Sequence, residues 1–331
     1  MPLLNHSRGV ASLKRLPHGE YHIHVKTYDP ERFMQFSTCV THYDLPLIKQ
    51  ILAVKGPEYL CDEILRDEDP FYIAHHLRTT LLAYVPKTFF QHKRLLDFGC
   101  GSGASTMILG RTFPSASIVG VELDSRFLDI ARMRAQQYGF RHIRFLQSPH
   151  GDTLPERLGM FDAIILPAVY EHLLPHERPA ILKLLWSHLK HGGILFLDET
   201  PHRYFPIESH TSGLPLINYF PDFLAHFCVK MFTQRDIHHD SWEELLRKGI
   251  RGGTSMEILS HIRQFDGRAA ILQPHAPRIE NPADLWFEGY ARHASGRSGA
   301  IKKLMRTPLR ILYRMTGIAL VPYLSLAIRK R

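Results

Sequence analysis

Three histidines are the candidates for general-base chemistry in this chain: His172, His202 and His210. An imidazole changes charge near neutral pH, so each of them has the pKa range for removing a proton from an acceptor. Glu208 can orient His202 or His210, and Arg203 can bind an anionic substrate group. Residues 198–215, here called the His-rich loop, hold His202, Arg203, Glu208 and His210. This loop can equally be a rigid turn whose polar groups satisfy its own backbone. For each single histidine both interpretations stay open, whereas for the loop as a whole we expect substrate contact.

No metal site is predicted from these histidines. His172 and His176 are four positions apart, but no third ligand has a convincing spacing. The chain holds 22 histidines, so accidental pairs are expected. Its four cysteines are widely spaced and include no Cys-x-x-Cys, which indicates neither a zinc site nor a disulfide framework.

The most specific feature is a glycine-rich segment, LLDFGCGSGAST, at positions 95–106. Gly99, Gly101 and Gly103 fall between a predicted strand and a predicted helix, where glycine permits close approach of a ligand and the helix N-terminus offers free N–H groups. A nucleotide-like cofactor is therefore expected. The segment also satisfies the dinucleotide pattern through Gly99, Gly101 and Ala104, so the glycines alone leave an NAD-type cofactor open.

Further motifs resemble those of the class I S-adenosylmethionine-dependent methyltransferases. Asp97 precedes the glycines to give acidic-x-Gly-x-Gly-x-Gly, and the next predicted strand ends in VGVE, with Glu122 last. A Gly192-Gly193 pair leads into a later predicted strand, as it does in that family. The resemblance covers about residues 70–235 and is strongest over 94–198.

This resemblance implies S-adenosylmethionine as the cofactor. Asp97 and the loop that contains Gly99, Gly101 and Gly103 would receive its methionine part, and the Glu122 carboxylate would accept both ribose hydroxyls. Many family members carry an acidic residue after the third strand to contact the adenine. Here that stretch reads QSPHGD, so Ser148 or Asp152 is expected to substitute.

The acceptor is predicted to be a hydroxyl of a small molecule, a lipid or a glycan, because the His-rich loop should lie at the carboxyl ends of the strands. Methylation of nucleic-acid bases is the last choice, since the residues at 166–172 lack the Pro-Pro motif of such enzymes and residues 1–296 carry equal numbers of basic and acidic side chains. Two alternatives remain from the sequence: an NAD-dependent oxidoreductase, and a non-catalytic membrane-associated protein that keeps the cofactor fold.

The elements that position these residues alternate along the chain. Strands are predicted at 94–98, 117–122, 143–147, 161–166 and 193–198, and helices at 63–90, 104–113, 125–138 and 175–190. A further strand is expected at 21–25 and one or two within 227–275. This alternation predicts an α/β fold with a doubly wound, mostly parallel, Rossmann-like seven-stranded sheet and N- and C-terminal additions.

Four regions are predicted: an N-terminal extension at 1–62, the core at 63–240, a cap or continuation at 241–296, and a basic tail at 297–331. The tail holds nine Lys or Arg and no Asp or Glu, which accounts for the whole net charge of +9. Lys302, Arg306, Arg310 and Arg314 recur every four residues, which suits an interfacial helix on an anionic membrane. With no signal-type or spanning apolar run, we expect a cytoplasmic protein whose tail lies on the inner face of the membrane.

Overall fold

The computed structural model describes residues 2–31, 33–151, 153–291 and 296–331, with the side chains of 291 and 296–298 outside the description. Four antiparallel strands open the chain, in the order in which they occur: β1 (Leu3–His6), β2 (Gly9–Arg15), β3 (Tyr21–Thr27) and β4 (Thr38–Thr41). Two helices, α1 (Leu45–Lys55) and α2 (Pro57–Glu68), share a buried core with this sheet. The strand expected at 21–25 is confirmed as part of β3.

The helix expected at 63–90 is wrong, because the chain breaks it into α2 and α3 (Ile73–Tyr84). Pro70 disfavours helical geometry at the residue before it, and Asp69 is indeed extended, with φ −78° and ψ 115°. The break places α3 against the central sheet, where Leu77 and Leu81 are fully buried.

A seven-stranded sheet forms the centre of the molecule. Its strands are β5 (Arg94–Phe98), β6 (Ser117–Glu122), β7 (Ile143–Gln147), β8 (Phe161–Pro167), β9 (Leu189–Pro201), β10 (Ala270–Ile271) and β11 (Tyr323–Arg329). Their order is β10-β11-β9-β8-β5-β6-β7, and the five strands from β5 to β9 run parallel. The crossover helices are α4 (Ala104–Thr112), α5 (Ser125–Gln137) and α6 (Arg178–Ser187). The predicted doubly wound fold is therefore confirmed.

The chain winds outward in opposite directions from the centre of this sheet. From β5 it proceeds to β6 and β7, and then returns to the other side of β5 to form β8 and β9. In open α/β sheets, ligands bind where the strand order reverses, at the carboxyl ends of the strands. The glycine-rich segment after β5 lies at this switch point.

The segment between β9 and β11 is mainly helical. It holds α7 (Asp222–Phe232), α8 (Trp242–Arg247), α9 (Ser255–Arg263) and α10 (Pro282–Trp286). The strand expected within 227–275 is confirmed only as the two-residue β10. The helices α8 and α9 begin with side-chain caps from Ser241 and Thr254, a local signal that the sequence interpretation did not use.

The tail boundary expected at 297 is not a boundary of the fold. Strand β11 pairs antiparallel with β9, from Tyr323 opposite Pro201 to Arg329 opposite Ile194, so the end of the chain is part of the central sheet. Leu326 is almost fully buried. Sequence periodicity misses such a strand because a short apolar run that is buried on both faces does not alternate.

Helix α11 (Gly296–Thr316) precedes β11, and its cationic stripe faces the protein itself. Arg306 Nη2 lies 2.9 Å from Asp284 Oδ1, and Arg310 Nε lies 3.4 Å from the same oxygen. Arg314 Nη2 lies 3.3 Å from Glu280 Oε2. Three of the four cations expected to face a membrane are therefore engaged in ion pairs. In the described part of the chain, no helix is long and apolar enough to cross a membrane.

Candidate functional site

The glycine-rich loop between β5 and α4 requires glycine for steric reasons. Gly99 has φ +70° and Gly103 has φ +88°, in the left-handed region that disfavours other residues. A Cβ on Gly99 would lie 2.7 Å from Val169 Cγ2, and one on Gly103 would lie 2.7 Å from Ala131 Cβ. Gly101, at φ +53°, has no heavy atom within 4 Å of such a Cβ, so the middle of the loop faces open space.

Glu122 ends the neighbouring strand β6 and is fixed against this loop. Its Oε2 accepts a hydrogen bond from the Gly101 amide at 3.0 Å, and its Oε1 accepts one from the Leu123 amide at 2.7 Å. The carboxylate lines a cavity of about 840 Å³, here called the Glu122 cavity, together with Gly99 and Ser148. An acceptor-only group at the end of this strand suits the two hydroxyls of a ribose.

Ser148 follows β7 and also lines the Glu122 cavity. Its amide donates to the Glu122 carbonyl at 2.9 Å, and its hydroxyl donates to the Thr153 carbonyl. The backbone bond holds Ser148 at the end of β7, next to Glu122. Asp152, the other residue considered for the adenine contact, lies outside the described residues.

Asp97 is fully buried at the end of β5 and holds the start of α4 rather than lining the cavity. Its Oδ2 accepts hydrogen bonds from Ser105 Oγ at 2.7 Å and Thr106 Oγ1 at 2.6 Å. Burial raises the pKa of this carboxyl to about 6. Its Oδ1 has no hydrogen-bond partner among the described residues, so one acceptor stays available beside the loop.

A second cavity, of about 590 Å³ and here called the Glu199 cavity, lies across the glycine loop. It shares Gly99 and Ala168 with the Glu122 cavity, and it is lined by the charged side chains of Lys55, Arg66 and Glu199. An elongated groove thus passes both sides of the loop, with the Glu122 carboxylate at one end and charges of both signs at the other. This arrangement fits a nucleoside joined to a zwitterionic amino acid.

Two non-glycine residues have left-handed backbones at the carboxyl edge of the sheet. Ala168 has φ +53° after β8, and Glu199 has φ +60° within β9. Such conformations cost about 1–3 kcal/mol each and persist where the surroundings over-determine them, often at functional sites. Glu199 pairs with His76, whose Nε2 lies 3.0 Å from Glu199 Oε2. The sequence interpretation did not select Glu199, because only the backbone geometry distinguishes it.

Two of the three candidate bases lie together at this edge. The rings of His172 and His210 are 5.7 Å apart, and His172 lines the Glu122 cavity. Glu171 completes the group, because one ligand-type atom from each of the three residues lies within 4.8 Å of the other two. We call these three residues the Glu171 cluster. Glu171 could have been selected from the sequence only through its position directly before His172.

Both imidazoles of the Glu171 cluster are neutral at physiological pH. Burial, together with the neighbouring His172, lowers the pKa of His210 to about 4. Burial also lowers the pKa of His172, and its Nδ1 lies 2.8 Å from the Arg247 carbonyl oxygen. Since a carbonyl only accepts, Nδ1 carries the proton and the His172 Nε2 lone pair is free.

The other residues proposed for the His-rich loop have structural partners. The Glu208 carboxylate accepts the amides of His210, at 2.9 Å, and of Thr211, at 2.8 Å, so it shapes the turn and does not orient an imidazole. His202 lines neither of the two cavities, and its Nδ1 accepts the Tyr204 amide at 3.1 Å. Arg203 donates to the Asn218 carbonyl. The rigid-turn interpretation therefore describes most of this loop.

The fold and this groove define a class of protein: a doubly wound α/β domain whose switch point holds a cleft lined by a glycine-rich loop and by a carboxylate at a strand end. Residues 95–193 match the family model described as a methyltransferase domain. These residues form a class I S-adenosylmethionine-dependent methyltransferase domain, and S-adenosylmethionine is its cofactor. This assignment replaces the NAD-type alternative.

Curated relatives agree on the domain and differ in their named reactions. The trans-aconitate 2-methyltransferase of Deinococcus radiodurans is 36% identical over 129 residues, which is 37% of this chain and 45% of that protein. The demethylmenaquinone methyltransferase of Lactococcus lactis is 27% identical over 203 residues, 57% of this chain and 74% of that protein. A ubiquinone biosynthesis O-methyltransferase of Acinetobacter baumannii is 28% identical over 115 residues, 34% of this chain and 47% of that protein. This chain spans about half the length of the Deinococcus and Acinetobacter proteins.

Proposed function

We propose that the chain is an S-adenosylmethionine-dependent methyltransferase that methylates a hydroxyl oxygen of a small molecule or of a lipid-linked or polymeric glycan. The observation that supports it is the Glu171 cluster, which sets neutral imidazoles beside the cofactor groove. An acceptor hydroxyl must lose its proton as it is methylated. The nitrogen lone pair of a neutral imidazole can take up that proton, or it can bind a cation that lowers the pKa of the hydroxyl. The name of the Acinetobacter relative is consistent with oxygen as the acceptor atom.

Different residues of the groove would hold different parts of the cofactor. Glu122 would hold the ribose hydroxyls, Ser148 lies beside the base position, and the loop amides with Arg66 and Glu199 would hold the methionine part. When bound, S-adenosylmethionine supplies an electrophilic methyl group on a sulfonium. The protein's own contribution is to place the acceptor oxygen in line with that group and to remove its proton.

The acceptor atom can be tested with an isotope-labelled methyl group. We expect the chemical shift of the transferred methyl to be that of a methyl ether, and the product to survive mild alkali. A methyl on nitrogen or carbon, or an alkali-labile methyl ester, would contradict hydroxyl methylation while leaving the methyltransferase class intact.

His210→Ala is expected to lower kcat by at least about 100-fold, because it removes one lone pair from the place where the hydroxyl loses its proton. Binding of adenosylhomocysteine should be unchanged, since His210 does not line the Glu122 cavity. His191→Ala, an exposed histidine at the opposite end of β9, is the matched control and should retain full turnover. Full turnover in His210→Ala would remove this residue from the reaction.

We also propose that α11 contacts an anionic membrane surface, through its outer face. Ile301, Leu304, Ile311 and Met315 follow one another at intervals of three, seven and four residues, which keeps them on one face, and Leu304 is 79% exposed. Lys303 is exposed on the same helix, which has no acidic residue. An exposed apolar row on a helix whose own charged residues are all cations suits anionic lipid.

The double variant Leu304→Glu/Ile311→Glu is expected to reduce co-sedimentation with vesicles rich in anionic lipid by at least about tenfold, because it adds charge to the row that would enter the interface. Met256→Glu, on the exposed face of α9, tests for a general effect of added charge and should leave sedimentation unchanged. Equal sedimentation of the double variant and the unaltered chain would rule out this face as the contact.

A further inference from the structure

The Glu171 cluster joins two nitrogen ligands and a carboxylate around one point. We propose that Glu171, His172 and His210 bind a divalent transition-metal cation of the Zn²⁺ type, which takes the acceptor hydroxyl as a further ligand. The catalytic part of this inference rests on the proposed function. The binding part rests only on the residues of the cluster.

Glu171 lacks the partners that a buried carboxylate requires. Its exposed fraction is 0%, and neither carboxylate oxygen has a hydrogen-bond partner among the described residues. An ionised carboxylate that is buried without hydrogen-bond partners is strongly disfavoured. A bound cation would supply the missing charge and coordinate the free oxygens.

The histidines present ligand atoms in the form a metal requires. Metal-binding imidazoles are neutral, and their second nitrogen usually donates to a carbonyl or carboxylate. His172 has this arrangement, because its Nδ1 proton is directed to the Arg247 carbonyl and its Nε2 lies 4.0 Å from Glu171 Oε1. His210 supplies the second nitrogen, within 4.8 Å of the ligand atoms of the other two residues.

The backbone at Gly249 packs closely against the cluster. Gly249 has φ +89°, and a Cβ there would lie 2.8 Å from His210 Cδ2 and 3.1 Å from Glu171 Cγ. Glycine thus lets the backbone after α8 close over these two side chains.

The distances require only a small adjustment on binding. Zinc bonds of about 2.0–2.2 Å in a tetrahedral site place ligand atoms roughly 3.3 Å apart, against the 4.8 Å limit that encloses the present atoms. The side chain of His172 is 43% exposed and can move. His172 lines the Glu122 cavity, so a metal held by these three ligands would keep its fourth position on that side, as in a catalytic site rather than a closed structural one.

The cation would change how the acceptor loses its proton. A metal-bound hydroxyl has a lowered pKa, so its O–H bond can break with the proton leaving to solvent water. The oxygen then forms a bond to the methyl carbon as the sulfonium S–CH₃ bond breaks, and adenosylhomocysteine leaves. His172 and His210 serve as ligands in this scheme, and the loss of activity expected for His210→Ala is the same.

Metal binding can be measured without catalysis. Chain treated with a chelator is titrated with Zn²⁺ against a chromophoric chelator, and with Co²⁺ followed by its visible absorption. We expect one site per chain, weakened at least about 100-fold in Glu171→Gln and in His210→Ala, because each loses a direct ligand. His176→Ala is the matched control and should bind as the unaltered chain does. Absence of a stoichiometric site, or equal weakening in His176→Ala, would overturn the inference.

A parallel assay separates this inference from the proposed function. Methyl transfer that persists in metal-free chain would overturn the metal's catalytic role and leave the methyltransferase proposal intact. One Zn²⁺ bound through Glu171 and His210 without any methyl transfer would support the site and contradict the proposed function.

Discussion

Glu122→Ala is expected to weaken binding of adenosylhomocysteine about 10- to 100-fold, the effect of losing hydrogen bonds to a charged acceptor. The carboxylate faces the Glu122 cavity and also accepts the amides of Gly101 and Leu123. The substitution therefore removes the proposed ribose acceptor and also releases the middle of the glycine loop. Isothermal titration of the purified chain with adenosylhomocysteine measures the loss.

The matched control for this variant is Asp129→Ala, which removes the same charge from the exposed face of α5. It should bind adenosylhomocysteine as the unaltered chain does. Thermal unfolding of Glu122→Ala in the absence of ligand should remain cooperative, which separates lost affinity from lost structure. Unchanged affinity in a folded Glu122→Ala chain would contradict the placement of the ribose.

Arg134→Met is expected to lower the free energy of unfolding by about 3–5 kcal/mol, because it takes the fully buried guanidinium away from the buried Glu63 carboxylate and leaves that carboxylate with Lys55 Nζ at 3.4 Å. Arg134 is fully buried on α5, and its Nη1 lies 3.2 Å from Glu63 Oε1 and donates to the Ser102 carbonyl at 2.9 Å. Burial alone would raise the pKa of Glu63, but the positive charges of Arg134 and Lys55 lower it to about 2. This carboxyl is therefore ionised at neutral pH. Urea unfolding gives the difference.

This ion pair also joins α2 to the cofactor site, because Ser102 stands between Gly101 and Gly103. Arg132→Met is the matched control: it removes an arginine two positions away on the same helix, where the side chain is 49% exposed and pairs with exposed Asp129. Exposed pairs contribute little, so we expect a change within about 0.5 kcal/mol. Equal loss of unfolding free energy in the two variants would show that the buried position of Arg134 does not account for its contribution to stability.

The sequence predicts the centre of the fold well, because its signals there are local. The glycine loop and the apolar strands next to it place β5, β6 and β7 with the bounds that the structure has. The sequence misses β11, since its short apolar run lacks a period of its own and it finds its place only by pairing with β9. The cations of α11 were assigned to a membrane for a similar reason, because their partners Glu280 and Asp284 come from another element.

The residues of the candidate site likewise fall into two groups: those that local sequence spacing predicts and those that only folding brings together. Glu122 and the glycines follow from spacing, whereas the cluster of Glu171 with His210 depends on the packing of α8 and the loop after β9. No pattern in the sequence brings these residues together. Burial without a hydrogen-bond partner, the feature that singles out Glu171, can be recognised only from the folded chain.

The proposed function rests on methyl transfer from S-adenosylmethionine to an acceptor oxygen. The most direct measurement incubates the purified chain and methyl-labelled S-adenosylmethionine with separated membrane and soluble fractions of the source cell, with Glu122→Ala in parallel. We expect label in an acceptor, with adenosylhomocysteine formed in equal amount, and far less of both with Glu122→Ala. No labelled acceptor in any fraction, or equal labelling by Glu122→Ala, would contradict it.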